Sequence, residues 1–115
     1  MKEKITYIEY NGKQYPLIFT LNVMELIQDE YETLEKWMEL TKQDEPNIKA
    51  LKFGLGEMIN EGIEVANELN NTENPLVNNK TIGRLITALG MTKVAGAITE
   101  NVIASTKIGE SQKNE

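Results

Sequence analysis

Tyr15-Pro16-Leu17-Ile18-Phe19, then Asn22, then Asp29-Glu30-Tyr31-Glu32-Thr33-Leu34-Glu35-Lys36-Trp37 is the stretch that decides how this chain reads. A short β-rich run gives way at Asn22 to helical spacing, and the helical part is dense in acids. Pro46, Ile48, Ala50 and Leu51 then open a longer helical pattern. The order is strand first, helices after, within one continuous piece.

Upstream of this stretch, Ile5–Tyr10 and Lys13–Phe19 flank Asn11-Gly12. Asn-Gly between β-rich runs signals a two-residue hairpin, because a type I′ turn needs positive φ at both central residues. Such a turn sets Ile8 opposite Tyr15, Thr6 opposite Leu17 and Ile5 opposite Ile18. Both faces are then partly apolar: one packs on the helices and the other is free to meet a partner. Pro16 lacks an N–H, so it belongs at an edge of the ladder or outside it.

Downstream, Asn22 with Glu25 makes an N-x-x-E start signal. Val23, Met24, Ile27 and Tyr31 form the apolar stripe of a first helix. Thr33 is the expected cap of a short second helix with Leu34, Trp37 and Met38 inward, ending in a loop at Thr41–Asp44. Asp44 or Glu45 is the expected cap of a third helix, with Pro46 in its first turn. Ile48, Leu51, Leu55, Met58 and Ile59 share one face, and the pattern continues to Leu69 with a kink expected at Gly62. Gly54 and Gly56 sit inside it as small residues for close helix contact.

Asn70 to Asn79 reads as a loop. A fourth helix carries Ile82, Leu85, Ile86 and Leu89 and ends at Gly90 as an αL cap. Thr92 caps a fifth helix with Val94, Ala95, Ile98 and Val102. The expectation is one compact α+β domain, mainly α, over residues 1–104. It has a hairpin at 4–19, a body of four to five helices at 22–104, and a flexible polar tail at 105–115.

Composition narrows the function classes. The chain has 115 residues, 40% hydrophobic and 26% charged, with no Cys and no His. Thiol nucleophiles, disulfides, Ser–His triads and nearly all zinc sites drop out. No apolar run nears the ~20 residues that span a bilayer, and Met1-Lys2-Glu3-Lys4-Ile5 is not a signal peptide, so a cytosolic protein is expected. The net charge is −6 and unevenly spread. Residues 25–45 hold Glu25, Asp29, Glu30, Glu32, Glu35, Glu39, Asp44 and Glu45 against Lys36 and Lys42. Residues 80–107 hold Lys80, Arg84, Lys93 and Lys107 against Glu100.

The motifs with chemical readings are weak. Asp29-Glu30-x-Glu32 lacks the alternating ligands of a calcium loop. Gly54-x-Gly56 lacks the third glycine and preceding strand of a dinucleotide loop. Ile82–Val102 has the length of a helix–turn–helix, but Ile86 stands where a small residue is needed and Gly96 where an aliphatic one is. No enzyme activity, cofactor or metal is expected, nor nucleic-acid or membrane binding. Leu34, Trp37 and Met38, with Glu32, Glu35 and Glu39, form the candidate protein-docking set. Its alternative reading is a core stripe with a solvated acidic face.

Tyr15–Asn22, Tyr31–Trp37, Ile48-Lys49-Ala50-Leu51, Pro75-Leu76-Val77 and Thr81-Ile82-Gly83-Arg84-Leu85-Ile86, in that order, carry a resemblance. Across roughly residues 8–104 the sequence resembles the tail assembly chaperones of long-tailed phages and prophages of Gram-positive bacteria. It departs at Phe53-Gly54, where the pattern has an aliphatic–Trp pair, and at Glu61-Gly62-Ile63, where the family has a looser acidic loop. The resemblance implies a non-enzymatic protein of the host cytoplasm, absent from the mature virion. It would bind the tape-measure protein and keep it soluble while tail-tube subunits polymerise around it. A frameshifted longer product is common in the family, and the polar tail would suit such a junction. The other classes weighed are a phage structural adaptor of the head–tail connector type and, after it, a DNA-binding regulator. Self-association through the hairpin edge or apolar helix surfaces is a further expectation.

Overall fold

Asn11 and Gly12 take φ of 56° and 76°, so the two-residue turn adopts positive φ at both centres. This sets strands β1 (Thr6–Tyr10) and β2 (Lys13–Leu17) in the expected antiparallel register, Ile8 opposite Tyr15 and Thr6 opposite Leu17. The computed structural model describes residues 5–42 and 44–113, the part after Thr106 as backbone only. Lys4, expected in the hairpin, lies outside the described residues. Pro16 faces Tyr7 in a sheet of two strands, where every strand is an edge.

Five helices follow: α1 (Leu21–Tyr31), α2 (Leu34–Lys42), α3 (Ile48–Asn70), α4 (Asn79–Leu89) and α5 (Met91–Lys113). The fold is therefore α+β and mainly α, as expected. Three of the expected helix starts are displaced. Thr20, not Asn22, caps α1, its hydroxyl accepting from the Val23 amide. Asn22 is released to donate to Glu61.

Asn47, not Asp44 or Glu45, caps α3, its Oδ1 accepting from the Ala50 amide at 2.9 Å. Pro46 thus stays outside the helix. Gly90 has φ 95° and ψ 139°, which is not αL. Its extended ψ turns the chain so sharply that α5 begins at Met91, with the Val94 amide on the Gly90 carbonyl. Thr92 is inside the helix. Thr33 caps α2 as expected, accepting from the Lys36 amide at 3.0 Å. Thr41, expected in a loop, is buried in the last turn of α2.

The centre of the body is α3. It packs on β2, α1, α2, α4 and α5. Its buried face consists of two parallel rows at four-residue spacing. Leu51, Leu55, Ile59 and Ile63 form the bulky row, while Ala50, Gly54, Met58 and Gly62 form a mostly small one. Rows of i±4 spacing are the ridges that pack neighbouring helices. The helix runs unbroken through Gly62, so the expected kink is absent. Gly62 instead lies under Pro16, whose Cβ would be 2.9 Å from an added methyl.

Gly54 lies under Trp37, where an added Cβ would collide with Cζ2 of the ring. The same glycines bare the helix backbone. A side chain leans toward the preceding turn, so its absence at 54 and 62 exposes the carbonyls at 50 and 58. Trp37 Nε1 donates to the Ala50 carbonyl at 3.0 Å, and the Ile18 amide donates to that of Met58 at 3.3 Å. At Gly56, by contrast, an added Cβ would make only an ordinary contact, 3.6 Å from Ile82 Cγ1.

The fifth helix runs past residue 105. Ser105 is buried and the backbone stays helical through Lys113. Polar composition suggests a tail, but no proline follows Pro75, and a lone Gly109 costs a helix only about 1 kcal/mol. Among the described residues no helix is long and apolar enough to cross a membrane.

Two glycine-to-alanine substitutions should have opposite signs. Gly54→Ala drives a methyl into the Trp37 ring and should destabilise by about 1–3 kcal/mol. Gly96→Ala, in α5 with nothing within 4 Å of the new Cβ, should stabilise by up to about 1 kcal/mol. Thermal unfolding of the pair checks this. An unchanged or raised midpoint for Gly54→Ala would contradict the close contact.

Candidate functional site

The acidic side of the molecule is built from α1 and α2. Glu25, Asp29, Glu30, Glu32, Glu35 and Glu39 are all exposed. Glu32 ends α1 with φ 75° and forms an ion pair with Lys36. The Lys36 hydrogen bond and charge hold the Glu32 carboxyl below the usual glutamate range. Both partners are solvated, so the pair contributes little to stability.

The candidate docking set does not converge on one surface. Trp37 is fully buried, and its indole N–H is satisfied inside the core. Leu34 and Met38 are half-buried and packed on the same core. Only Glu32, Glu35 and Glu39 face water. The i, i+3, i+4 spacing of Leu34, Trp37 and Met38 fits a core stripe and a docking stripe equally well. What decides between them is Gly54 on α3, which makes room for the indole. In this structure Trp37 is a core residue.

Some exposed apolar residues lie elsewhere, beside two open clefts: Tyr7 lines one, and Ile48 and Met91 line the other. The first, of about 270 Å³, lies between the hairpin, the second half of α3 and the loop 71–78, with Tyr7, Pro16, Ile63, Ala66 and Pro75 among its lining. Tyr7 is 61% exposed, and Leu69 and Leu76 are also largely exposed. Ile18, expected opposite Ile5, is buried, whereas Ile5 is exposed. Lys13 Nζ stands 5.2 Å from the Tyr15 ring centroid, within range of a cation–π contact.

A latch shapes this cleft. Asn60 Nδ2 donates to the Val77 carbonyl at 3.1 Å, and its Oδ1 accepts from the Val77 amide at 2.8 Å. One side chain thus pairs with a loop residue as a neighbouring strand would. Two turns on, Asn67 donates to the Asn74 carbonyl and accepts from the Asn74 amide and the Thr72 hydroxyl. Asn71, with φ 54°, turns the chain back at the helix end. The two asparagines hold the loop against α3. The sequence reading missed them, though the signal was present: asparagine is a poor helix former, and here it recurs seven residues apart.

The second cleft, of about 290 Å³, lies where the start of α3 meets the end of α4 and Met91. Ile48, Leu51, Ile86 and Met91 line it together with Lys52. An adjoining hollow is lined by Ile48, Lys49, Lys52, Phe53 and Asn79. Ile48, expected on the buried face, is 62% exposed. The displaced cap explains this, since α3 starts at Ile48 and its first turn has no neighbour on that side.

On the flank of α3, Glu61 accepts from the Thr20 hydroxyl at 2.6 Å and from Asn22. Its carboxylate sits at the start of α1, where the helix dipole favours negative charge. Burial, then Glu64 and Glu61, push the Glu57 carboxyl above the ordinary range. Among the described residues no group of three or more acids could hold a metal ion. No family model, curated protein or solved structure matches the chain.

Asn60→Ala should free the loop without unfolding the body. Amide exchange at Val77 should rise at least tenfold while the α3 core amides stay protected. Equal protection at Val77 would show the latch to be dispensable. Glu57 binds its proton more tightly folded than unfolded, so its contribution falls as pH rises from the ordinary glutamate pKa through the raised one. Glu57→Gln should therefore flatten that part of the stability–pH curve and stabilise the protein at neutral pH. A curve with an unchanged slope there would count against it.

Proposed function

We propose that this chain is a non-enzymatic assembly chaperone of the phage-tail type, which holds helical segments of a tape-measure protein in the cleft between hairpin and α3. The observation that carries the reading is the open cleft beside the hairpin, whose wall is largely apolar and includes the exposed Tyr7. Tyr7, Ile63, Ala66 and Pro75 offer an apolar wall to an amphipathic helix, a recurring mode of peptide recognition. The sequence resemblance supplies the identity of the client.

Weakness is part of such a mechanism. A shallow cleft gives each copy a modest affinity, and tail-tube subunits must displace it. A long client offers many sites, so linked contacts add up without any single one being permanent. The exposed acids of α1 and α2 keep the complex in solution and set long-range orientation. They do not supply the grip, because exposed charges are screened over ~8 Å at physiological salt. This role places the protein in the cytoplasm of a bacterial host during assembly and outside the finished virion.

Co-expression with the tape-measure protein of the same genome is the test. The client should be soluble with this chain and aggregate without it. Tyr7→Asp with Ala66→Asp should abolish recovery of the complex while leaving the circular dichroism spectrum unchanged. Glu32, Glu35 and Glu39 to Gln should weaken recovery modestly and change stability by no more than about 0.5 kcal/mol. A client equally soluble with and without the chain, and no recovered complex, would refute the reading.

A further inference from the structure

The helical body has an acidic face and, apart from it, a patch without acids, and each exposes apolar residues. Residues 46–56 and 79–99, which supply the start of α3, all of α4 and the start of α5, contain Lys49, Lys52, Lys80, Arg84 and Lys93 and no Asp or Glu. The second cleft lies among them. Its floor is Leu51 and Ile86, its exposed rim Ile48 and Met91, and its lining charge Lys52, with Lys49 in the adjoining hollow. The Lys52 side chain lies against α4 at Gly83, where an added Cβ would make an ordinary contact with Cε and Nζ at 3.5 Å.

The outward face of α1 is the converse. Leu21 is 66% exposed and Leu26 is also exposed, and Glu25 and Asp29 share their face of the helix. The inward face of α1, Val23 and Ile27, is committed to the core. Leu21 is thus left mostly outside the body of its own chain, and Leu26 partly so. The helix packs on α2 and α3 and turns this face outward, while the groove opens where α3, α4 and α5 meet.

We propose that copies of this chain associate head to tail, the outer face of α1 in one copy seating in the α3–α4–α5 groove of the next. Leu21 and Leu26 cover Ile48 and Met91, and Glu25 and Asp29 face Lys49 and Lys52. The two surfaces differ, so the contact is heterologous and propagates into a ring or an open chain rather than stopping at a dimer. Four exposed apolar side chains and two ion pairs make a small interface. Association is correspondingly weak, concentration-dependent and salt-sensitive. The proposal concerns the chain alone and is independent of any client.

Sedimentation velocity of the full chain across a concentration series, at low and at physiological salt, is the experiment. The wild type should grow beyond dimer with concentration, and less so at the higher salt. The double reversals Lys49→Glu/Lys52→Glu and Glu25→Lys/Asp29→Lys should each weaken association at least tenfold, with unchanged circular dichroism. Mixing the two variants restores opposite charge at every junction, so the mixture should assemble where neither variant does alone. A wild type that stays monomeric at every concentration would overturn the proposal. So would a reversal without effect, or a mixture that remains monomeric. If the groove reversal reduced client recovery while the wild type stayed monomeric, the groove would belong to the client and not to a second copy.

Discussion

The contact between Trp37 and the glycine-lined side of α3 is the constraint on which the rest of the structure depends. The indole occupies space that any side chain at 54 would fill, and its N–H reaches a helix carbonyl that such a side chain would cover. Backbone carbonyls have two lone pairs, so Ala50 can accept from Trp37 and keep its place in the helix ladder. Two turns along the same row, Gly62 repeats the device for the hairpin. Pro16 seats on it, and the neighbouring Met58 carbonyl takes the Ile18 amide. Each glycine weakens the isolated helix by about 1 kcal/mol relative to Ala. Burial of a whole indole, about 1.5–3 kcal/mol or more, and a satisfied N–H more than offset that. One row of α3 thus docks both α2 and the hairpin.

This use of α3 determines what remains for the surface. Its small row takes Trp37 and Pro16, and its bulky row is buried in the core. The flanks bear Glu57, Glu61 and Glu64 on one side and Asn60 and Asn67 on another. The loop 71–78 has few apolar residues to anchor it, so side-chain amides do the holding. The clefts are the places where this central helix outruns its neighbours: its first turn, bare around Ile48, and its last turns, which only the hairpin and the latched loop approach.

Much of the fold was legible. The hairpin register follows from Asn11-Gly12, because positive φ at two adjacent residues admits few turn types. The inward faces of α4 and α5 follow from apolar periodicity, and Ile82, Leu85, Ile86, Val94, Ala95, Ile98 and Val102 are all buried. Helix starts were less legible. Thr20 and Asn22 are both good caps, as are Asp44 and Asn47, and local chemistry ranks such neighbours nearly equal. Asn22 is outcompeted because Glu61, far off in sequence, takes its side chain. The candidate site was the least legible part. A stripe of Leu34, Trp37 and Met38 has the same spacing whether it faces a core or a partner.

The sequence by itself determined the class of the protein: a hairpin leading into helices, with charge segregated along the chain and neither cysteine nor histidine. These follow from local sterics and composition, which act within a few residues. Only the tertiary structure decided which apolar residues were consumed and which were left over. Trp37 became core because Gly54, seventeen residues on, opened a space for it. Ile48 became surface because a cap two or three residues later than expected put it in an uncovered first turn. Asn60 and Asn67 became a latch because the loop after α3 folds back alongside them. Burial depends on what lies opposite in space, and that is fixed by contacts between residues far apart in the chain.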